Sequence, residues 1–488
     1  MIKQRLPESP PSFDEILAEL ATYKEHDADW RGGKVWSLVY HPGDAFSDFL
    51  KKAHQLYFSE NALNPMAFKS LRRMEAEVVR MTATMLNGGP EATGTMTTGG
   101  TESVLMAVKA YRERGKKRGI TKPEMVLPES AHVAFDKAGH YFGVKLRKAP
   151  LDRDFKVDMA ALRKLVNKNT VMLVGSAPQY PQGVVDPIPE LSVLALEKGL
   201  PLHVDACIGG FVLPWLERLG QKVVPWDFRV PGVTSISADV HKYGFAPKGA
   251  SVIVYRSMDY LKHQFFITTD WSGGVYASAT MPGTKPGGAI AAAWAAMVGM
   301  GEAGYLAHTA KTIEACHRLK AGIAAIPAIQ VLGSPESSLI AWTSEGYDTD
   351  APRVDVYAVA EQLTARGWSV DRQQYPASVH LTVTSNHLPV VDLYLADLRA
   401  SVAHVLAHPE EATKGAAAMY GMMAKVPVRA LVKQGVEKVM EALYAAEPAF
   451  ELDPEDNHLL PPRFRAYEPL VVRAIDTAYS FRQKLRRR

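Results

Sequence analysis

Apolar residues along this chain recur in two patterns, and the change from one to the other organises it. In KSLRRMEAEVVRMTATMLNGGP, Leu71, Met74, Val78, Met81 and Met85 recur at steps of three and four, and Gly88, Gly89 and Pro90 close the run. That is one apolar face of a core helix with a stop behind it. From 94 to 255 the pattern shifts to short apolar runs alternating with segments of helical length: MVLP from 125, TVMLVGSAP from 170, LPLHVDA from 200, VTSISAD from 233 and ASVIVYR from 250. Strands separated by helices need crossover connections, so a mainly parallel sheet in an α/β lobe is expected. Such sheets hold ligands at the carboxyl ends of their strands, so the residues just after each run carry the functional question.

Outside this stretch, residues 1–35 are polar and Pro-spotted, with one helix expected over 13–26. The Ala-rich AIAAAWAAMVGMG over 289–301 is expected as a buried helix, too short to span a membrane. Beyond it DVYAVAEQLTARG reads as a helix, WSVDRQ and SVHLTVTS as strands, and VVDLYLADLRASVAHVLAH as another helix. The expected organisation is an N-terminal arm over 1–60, a large α/β domain over 61–310, a smaller α+β domain over 311–450 and a helical tail over 451–488. A chain of 488 residues exceeds what one hydrophobic core sustains, which agrees with two lobes.

Composition removes several function classes. Fifty-six basic residues against 52 acidic ones give a formal charge of +4, too near balance to argue for a nucleic-acid partner. Basic residues concentrate only in the terminal FRQKLRRR, read as a solvated helix end. Cys207 and Cys316 build no disulfide framework and no His/Cys cluster has metal-ligand spacing, so no metal is expected and a reducing compartment fits. The N-terminus lacks a signal-like apolar core, which gives an expectation of a soluble, cytoplasmic protein.

Chemistry-bearing residues gather at the strand exits. TTGGTESVLMAVKAY places Gly99 and Gly100 before a helix opened by Thr101, where free N–H groups and the dipole favour an anion. His132 in PESAHVAF sits near a helix start and offers a flat ring or a proton carrier. Tyr180 follows TVMLVGSAP, and Asp205 follows the next apolar strand, where a carboxylate can hold a ligand cation. In SADVHKYGFAPKG, Lys242 and Lys248 stand six residues apart beside turn signals. An anion site, a flat residue, an acid and a lysine, in that order at strand ends, are what pyridoxal phosphate requires. Lys242 would hold the cofactor aldehyde as a Schiff base, made nucleophilic by desolvation and nearby positive charge, and Asp205 would keep the pyridine nitrogen protonated.

MEAEVVRM, NGGPEATGTMTTGGTES, HVDACIGGF, SADVHKYGFAPKG and GTKPGG resemble the sphingosine-1-phosphate lyases, and the resemblance runs from about 34 to 445. It implies the fold-type I (aspartate-aminotransferase-like) architecture shared with the group II amino-acid decarboxylases: a large domain with a mainly parallel seven-stranded sheet, a small α+β domain and an N-terminal arm. It also implies Lys242 as the cofactor lysine, Asp205 as the pyridinium partner and His132 as the stacking residue. His241, Gly100 and Thr101 would bind the cofactor phosphate, with Thr284 reaching in from the second subunit of a homodimer. Lys248 would meet the substrate phosphate, and Tyr40 and Asn61 would line the substrate site. The substrate implied is a phosphorylated sphingoid base, split between C2 and C3 into a long-chain aldehyde and phosphoethanolamine. Tyr180, Lys242 and His132 are unranked candidates for proton transfer. Where the lyases read Asn-x-x-His-Pro, this chain has Asn64 before Pro65. The alternatives are an amino-acid decarboxylase of glutamate or tyrosine type, which would want a carboxylate-binding group, and a non-catalytic binding protein on the same scaffold. No transmembrane segment is expected; the basic tail or an apolar rim would allow transient contact with a bilayer, and whether the lipid is the cell's own or a host's stays open.

Overall fold

The computed structural model describes residues 5–25, 27–349, 351–413 and 429–445. Its centre is a seven-stranded sheet: β1 (Thr93–Thr97), β2 (Glu124–Pro128), β3 (Lys145–Ala149), β4 (Thr170–Ser176), β5 (Leu202–Asp205), β6 (Val233–Ala238) and β7 (Ser251–Tyr255). The spatial order is β1-β7-β6-β5-β4-β2-β3. The pairs from β3 across to β6 are parallel, while β7 runs antiparallel to both β6 and β1. Neighbouring side chains on these strands enter opposite cores. In β4, Leu173 packs into one core while Met172 and Val174 pack into the other, and in β7 Val252 and Val254 oppose Ile253 and Tyr255. A strand buried on both faces has no polar alternation, which is why it reads as a continuous apolar run. Each such Val, Leu or Ile contributes about 2 kcal/mol by leaving water.

Five of the seven strands coincide with the apolar runs. The two others, TGTMT in β1 and KLRKA in β3, are the edge strands, and β3 is largely exposed. Solvent on β3 accounts for its lysines and arginine, whereas β1 is covered and its buried Thr95 and Thr97 hydroxyls are hydrogen-bonded to Gln264 and Ser103, so neither strand leaves an apolar signature.

The Ala-rich segment extends much further than its apolar run, as the helix Gly287–Ala324 broken at Gly301, whose φ is 57°. By length and composition it alone among the described residues is apolar enough to cross a membrane, but half of its most apolar stretch is buried in protein. Its first part packs Ile290, Ala293 and Ala296 into the large core, and its second part carries Cys316, Leu319 and Ile323 into a separate core. That second core backs an antiparallel sheet of order β10-β11-β13-β12, made of β10 (Ile329–Val331), β11 (Leu339–Ser344), β12 (Asp371–Gln374) and β13 (Ala377–Thr382). A short hairpin of β8 (Phe266–Thr268) and β9 (Tyr276–Ser278) lies between the two sheets in sequence.

The N-terminal segment is anchored on the small sheet. Val35 bridges to Ser369, Trp36 N–H donates to Ser369 O at 3.0 Å, and the Trp36 ring lies buried 4.1 Å from His387. The expected helix over 13–26 is found as Phe13–Thr22, with Ser12 and Glu15 forming a capping box. The tail over 451–488 and its basic run fall outside the described residues.

Candidate active site

Parallel pairing of β5 with β6 sets Asp205 opposite Ser237 at the carboxyl edge of the sheet. Asp205 Oδ1 accepts from Ser237 Oγ at 3.2 Å and from the Cys207 backbone N–H at 3.1 Å. Burial alone would raise its pKa, but His132, Cys207 and His203 outweigh it, so the carboxyl is held below its usual range and stays ionised. His203 beneath it is buried and neutral, pushed down to about 4 by desolvation.

Lys242 lies on the turn after β6. Its Nζ is 3.0 Å from Asp239 Oδ2, and Asp239 is almost completely buried. Asp239 also accepts from Ser251 Oγ at 2.6 Å, which fixes the carboxylate from the β7 side. Desolvation pushes the lysine down, but Asp239, with Tyr40 and Cys207 behind it, wins and raises its pKa. This corrects the sequence reading: the dominant charge beside Lys242 is a carboxylate that holds it as an ammonium, because the chain turns back over Asp239 one helical turn before the lysine. Gly100 completes the floor. A Cβ there would come within 2.7 Å of both Asp239 Oδ2 and Cys207 Sγ, so only glycine fits. The helix Gly100–Lys117 starts at this point with no side-chain cap, leaving its first-turn N–H groups facing the same region. Thr101 is in its first turn and exposed. The His241 ring carbon Cε1 lies 4.0 Å from where a Gly99 Cβ would be, and its Nδ1–H donates to Ala250 O at 2.8 Å. Burial lowers the His241 pKa, so the ring is neutral.

Around this floor stand aromatic and basic walls. Tyr40 meets Tyr243 edge-on at 5.0 Å, and desolvation pushes its phenol up to about 12. Lys248 Nζ sits 5.0 Å from the Tyr40 ring centroid. It forms no salt bridge among the described residues. It is exposed at the mouth, yet desolvation by the surrounding walls, followed by Lys242, pushes its ammonium down to about 8. Opposite, the exposed His132 ring lies 6.4 Å from Tyr180, edge to face. The Tyr180 hydroxyl donates to Asp371 Oδ2 at 2.8 Å, and its ring lies 4.2 Å from His380.

Two groups therefore form. Lys242, Asp205, His132, Tyr180, Gly100, His241, Tyr40 and Lys248 form one connected cluster at the strand exits, linked by contacts and charge interactions. Asn61, Asn64 and Thr284 do not join it within this chain. Asn61 Nδ2 donates to Thr284 Oγ1 at 3.3 Å, while its Oδ1 accepts the N–H groups of Lys285 and Leu63 at 3.1 and 2.9 Å. Asn64 Oδ1 caps the N–H groups of Met66 and Ala67. The sequence analysis did not single out Asp239, Asp371, Tyr243 or His380. Asp239 could have been found as the acid in the same strand-exit run as Lys242. Asp371 and His380 lie in the small sheet and have no such signal.

Comparison with known proteins accounts for this arrangement. Residues 51–344 match the pyridoxal-dependent decarboxylase conserved domain. Sphingosine-1-phosphate lyase 1 of Rattus norvegicus is 43% identical over 446 residues, covering 91% of this chain and 77% of the relative. The chain belongs to the sphingosine-1-phosphate lyase family. The Arabidopsis thaliana lyase is 44% identical over 439 residues, with 88% and 79% coverage. Among solved structures, the Burkholderia pseudomallei sphingosine-1-phosphate lyase superposes with a TM-score of 0.82 at 37% identity, covering 91% of this chain and 98% of that one. The Lactobacillus brevis glutamate decarboxylase, at 20% identity and a TM-score of 0.72, shares the fold alone. Family membership makes pyridoxal phosphate the cofactor and gives this lyase-family chain its fold-type I architecture.

Proposed function

We propose that the protein is a carbon–carbon lyase that splits phosphorylated long-chain bases between C2 and C3, releasing a long-chain aldehyde and phosphoethanolamine. The observation that carries this reading is Lys248: a cation without a salt-bridge partner among the described residues, at the mouth of the Lys242 pocket and over Tyr40. An ammonium without a counter-ion is matched to a substrate phosphate.

The residues fit pyridoxal phosphate. The uncapped helix start at Gly100 and Thr101, with the neutral His241 ring beside it, binds the phosphate. Asp205, ionised and fixed by two hydrogen bonds, holds a ring cation, and the exposed face of His132 stacks on the ring. The bound cofactor supplies an electron sink for the carbon bearing the substrate nitrogen. Lys242 provides the amine that would anchor it, and Asp239 orients that amine from 3.0 Å. Tyr40 shields the pocket from water, and Lys248 orients the substrate by its phosphate. Asn61, Asn64 and Thr284 act on the substrate and cofactor of the second subunit in a homodimer. Exposed Phe266, Ile267, Trp271 and Val275 on the adjoining hairpin supply apolar surface for that contact. The two cysteines are free thiols, which fits action in the cytoplasm.

Incubating the purified protein with a phosphorylated sphingoid base, and separately with glutamate and tyrosine, tests the reading. Aldehyde and phosphoethanolamine should appear in equal amounts from the first. Carbon dioxide from either amino acid without aldehyde release from the first would overturn it.

A further inference from the structure

Asp371 is the first residue of β12, and the β12–β13 register sets it directly opposite His380. The two grip Tyr180 together, the carboxylate accepting a hydrogen bond from its hydroxyl at 2.8 Å and the imidazole lying against its ring at 4.2 Å. Tyr180 and Asp371 are 191 residues apart, one on the large-domain loop after β4 and the other in the small sheet. The loop is docked by further bonds: Gln373 Nε2 donates to Pro181 O at 2.9 Å, and the His380 Nδ1–H points to the same oxygen at 3.4 Å. Ser37, just beyond the buried Trp36, donates to the other Asp371 oxygen at 3.3 Å. The carboxylate is thus held by the arm and by the small domain while it holds a residue of the large one.

We propose that Asp371 is a positioning residue that receives the Tyr180 proton, so that Tyr180 removes the substrate's C3 hydroxyl proton by handing its own to Asp371. The inference rests on the lyase reading above. In this step the C3 O–H bond breaks and its proton goes to the Tyr180 oxygen, while the Tyr180 O–H bond breaks and that proton goes to Asp371 Oδ2. The freed O–H electron pair becomes the second bond of the aldehyde C=O, and the C2–C3 pair stays on C2.

Tyr180 cannot act as a free base, because desolvation and then the Asp371 charge push its phenol far above neutral. A tyrosine in that state can take up a proton only as it gives one away, and the donated hydrogen bond supplies the path. The Lys242 charge also acts on this phenol, in the lowering direction, which places the two groups within electrostatic reach of each other. The groups facing Asp371 are Tyr180, Ser37, Tyr40 and His380. Burial pushes His380 down to about 4, so at neutral pH it brings no charge and Asp371 is the one ion that faces Tyr180 from the small sheet.

The test compares kcat and KM for the cofactor-loaded wild type, Asp371→Asn, Asp371→Glu, Tyr180→Phe and the Asp371→Asn/Tyr180→Phe double variant. Gln373→Ala serves as the control that loosens the same domain contact without touching the proton path. Asp371→Asn and Tyr180→Phe should each lower kcat by about 100-fold with KM within threefold, the scale of one lost general-base function. The double variant should be no worse than either single change, since the two act as a unit. Asp371→Glu should recover at least tenfold over Asn, which a merely structural role of the carboxylate would not give. Gln373→Ala should stay within threefold of wild type. Full kcat in Asp371→Asn beside a normal wild type would overturn the hand-off alone, as would additive losses or an equal loss in Gln373→Ala. A wild type that releases no aldehyde would overturn the lyase reading and the inference together.

Discussion

The strand-exit pocket and the Asn61–Thr284 loop pair are both rich in polar side chains, but the two are satisfied in different ways. At the loop pair the polar contacts close on uncharged partners within the pair: Asn61 alone joins the Thr284 hydroxyl and the Lys285 and Leu63 N–H groups, and Asn64 caps its own turn. At the strand exits, charge is buried and left partly open. Asp205 and Asp239 stay ionised or ion-paired below the surface, and Lys248 has no counter-ion among the described residues. Closed contacts give shape, whereas buried charges held ready for a ligand give chemistry. The same contrast recurs between the two lysines. Lys242 is raised by Asp239, and Lys248, only six residues on, is lowered to about 8.

The sharpest way to break the contrast is to remove its centre. Lys242→Ala should lower aldehyde release by about 10⁴-fold and abolish the visible absorbance of covalently held cofactor; retained turnover would place the chemistry elsewhere. Asp239→Asn comes next, because it strands Lys242 beside a neutral amide. Breaking a buried pair costs about 3 kcal/mol, to be read in denaturant unfolding. The sign follows from the raised pKa of Lys242. On the alkaline side the lysine's contribution is present below its unfolded value of roughly 10.4 and is lost as pH rises through the higher folded value, so the difference between wild type and Asp239→Asn should shrink in strong alkali.

Lys248 should show a smaller and pH-dependent effect. Its ammonium loses its proton around pH 8, so KM for the phosphorylated base should rise above that pH while kcat changes little. Lys248→Arg should flatten the rise, and Lys248→Ala should raise KM by about 10- to 100-fold at pH 7, the worth of one charged hydrogen bond. Smallest of all should be Asn64→Ala, which removes a turn cap and should cost about 1 kcal/mol of stability. A loss of turnover beyond what that instability explains is expected from its proposed contact with the second subunit's substrate, and unchanged turnover would confine Asn64 to capping its turn.

Legibility follows burial and sequence distance. The central strands were readable because both faces are buried in apolar cores; β3 was not, because solvent removes the need for an apolar run, and β1 was not, because its buried positions are threonines satisfied by hydrogen bonds. The organisation of the Gly287–Ala324 helix was half visible. Its Ala-rich first part is one apolar run, but its second part carries polar residues between the ones it buries. Among site residues, those next to a strand exit could be picked out, since topology alone takes them to the sheet's edge.

What the sequence determined by itself was the ordered set of groups along the large domain: an anion-binding helix start, an aromatic, an acid and a lysine. Along the sheet edge the chain order is not kept: the helix start after β1 is followed by Lys242 after β6, Asp205 after β5 and His132 after β2, so crossover connections bring the last group in sequence nearest the first. The tertiary structure alone decided which charge governs each of them. That Asp239 pins Lys242, and that Asp371 from the small sheet accepts the hydrogen bond of the Tyr180 hydroxyl, depends on distances of about 3 Å between side chains set by packing and register. Electrostatic interaction falls steeply with separation and solvent exposure, so it is fixed only once the cores have formed.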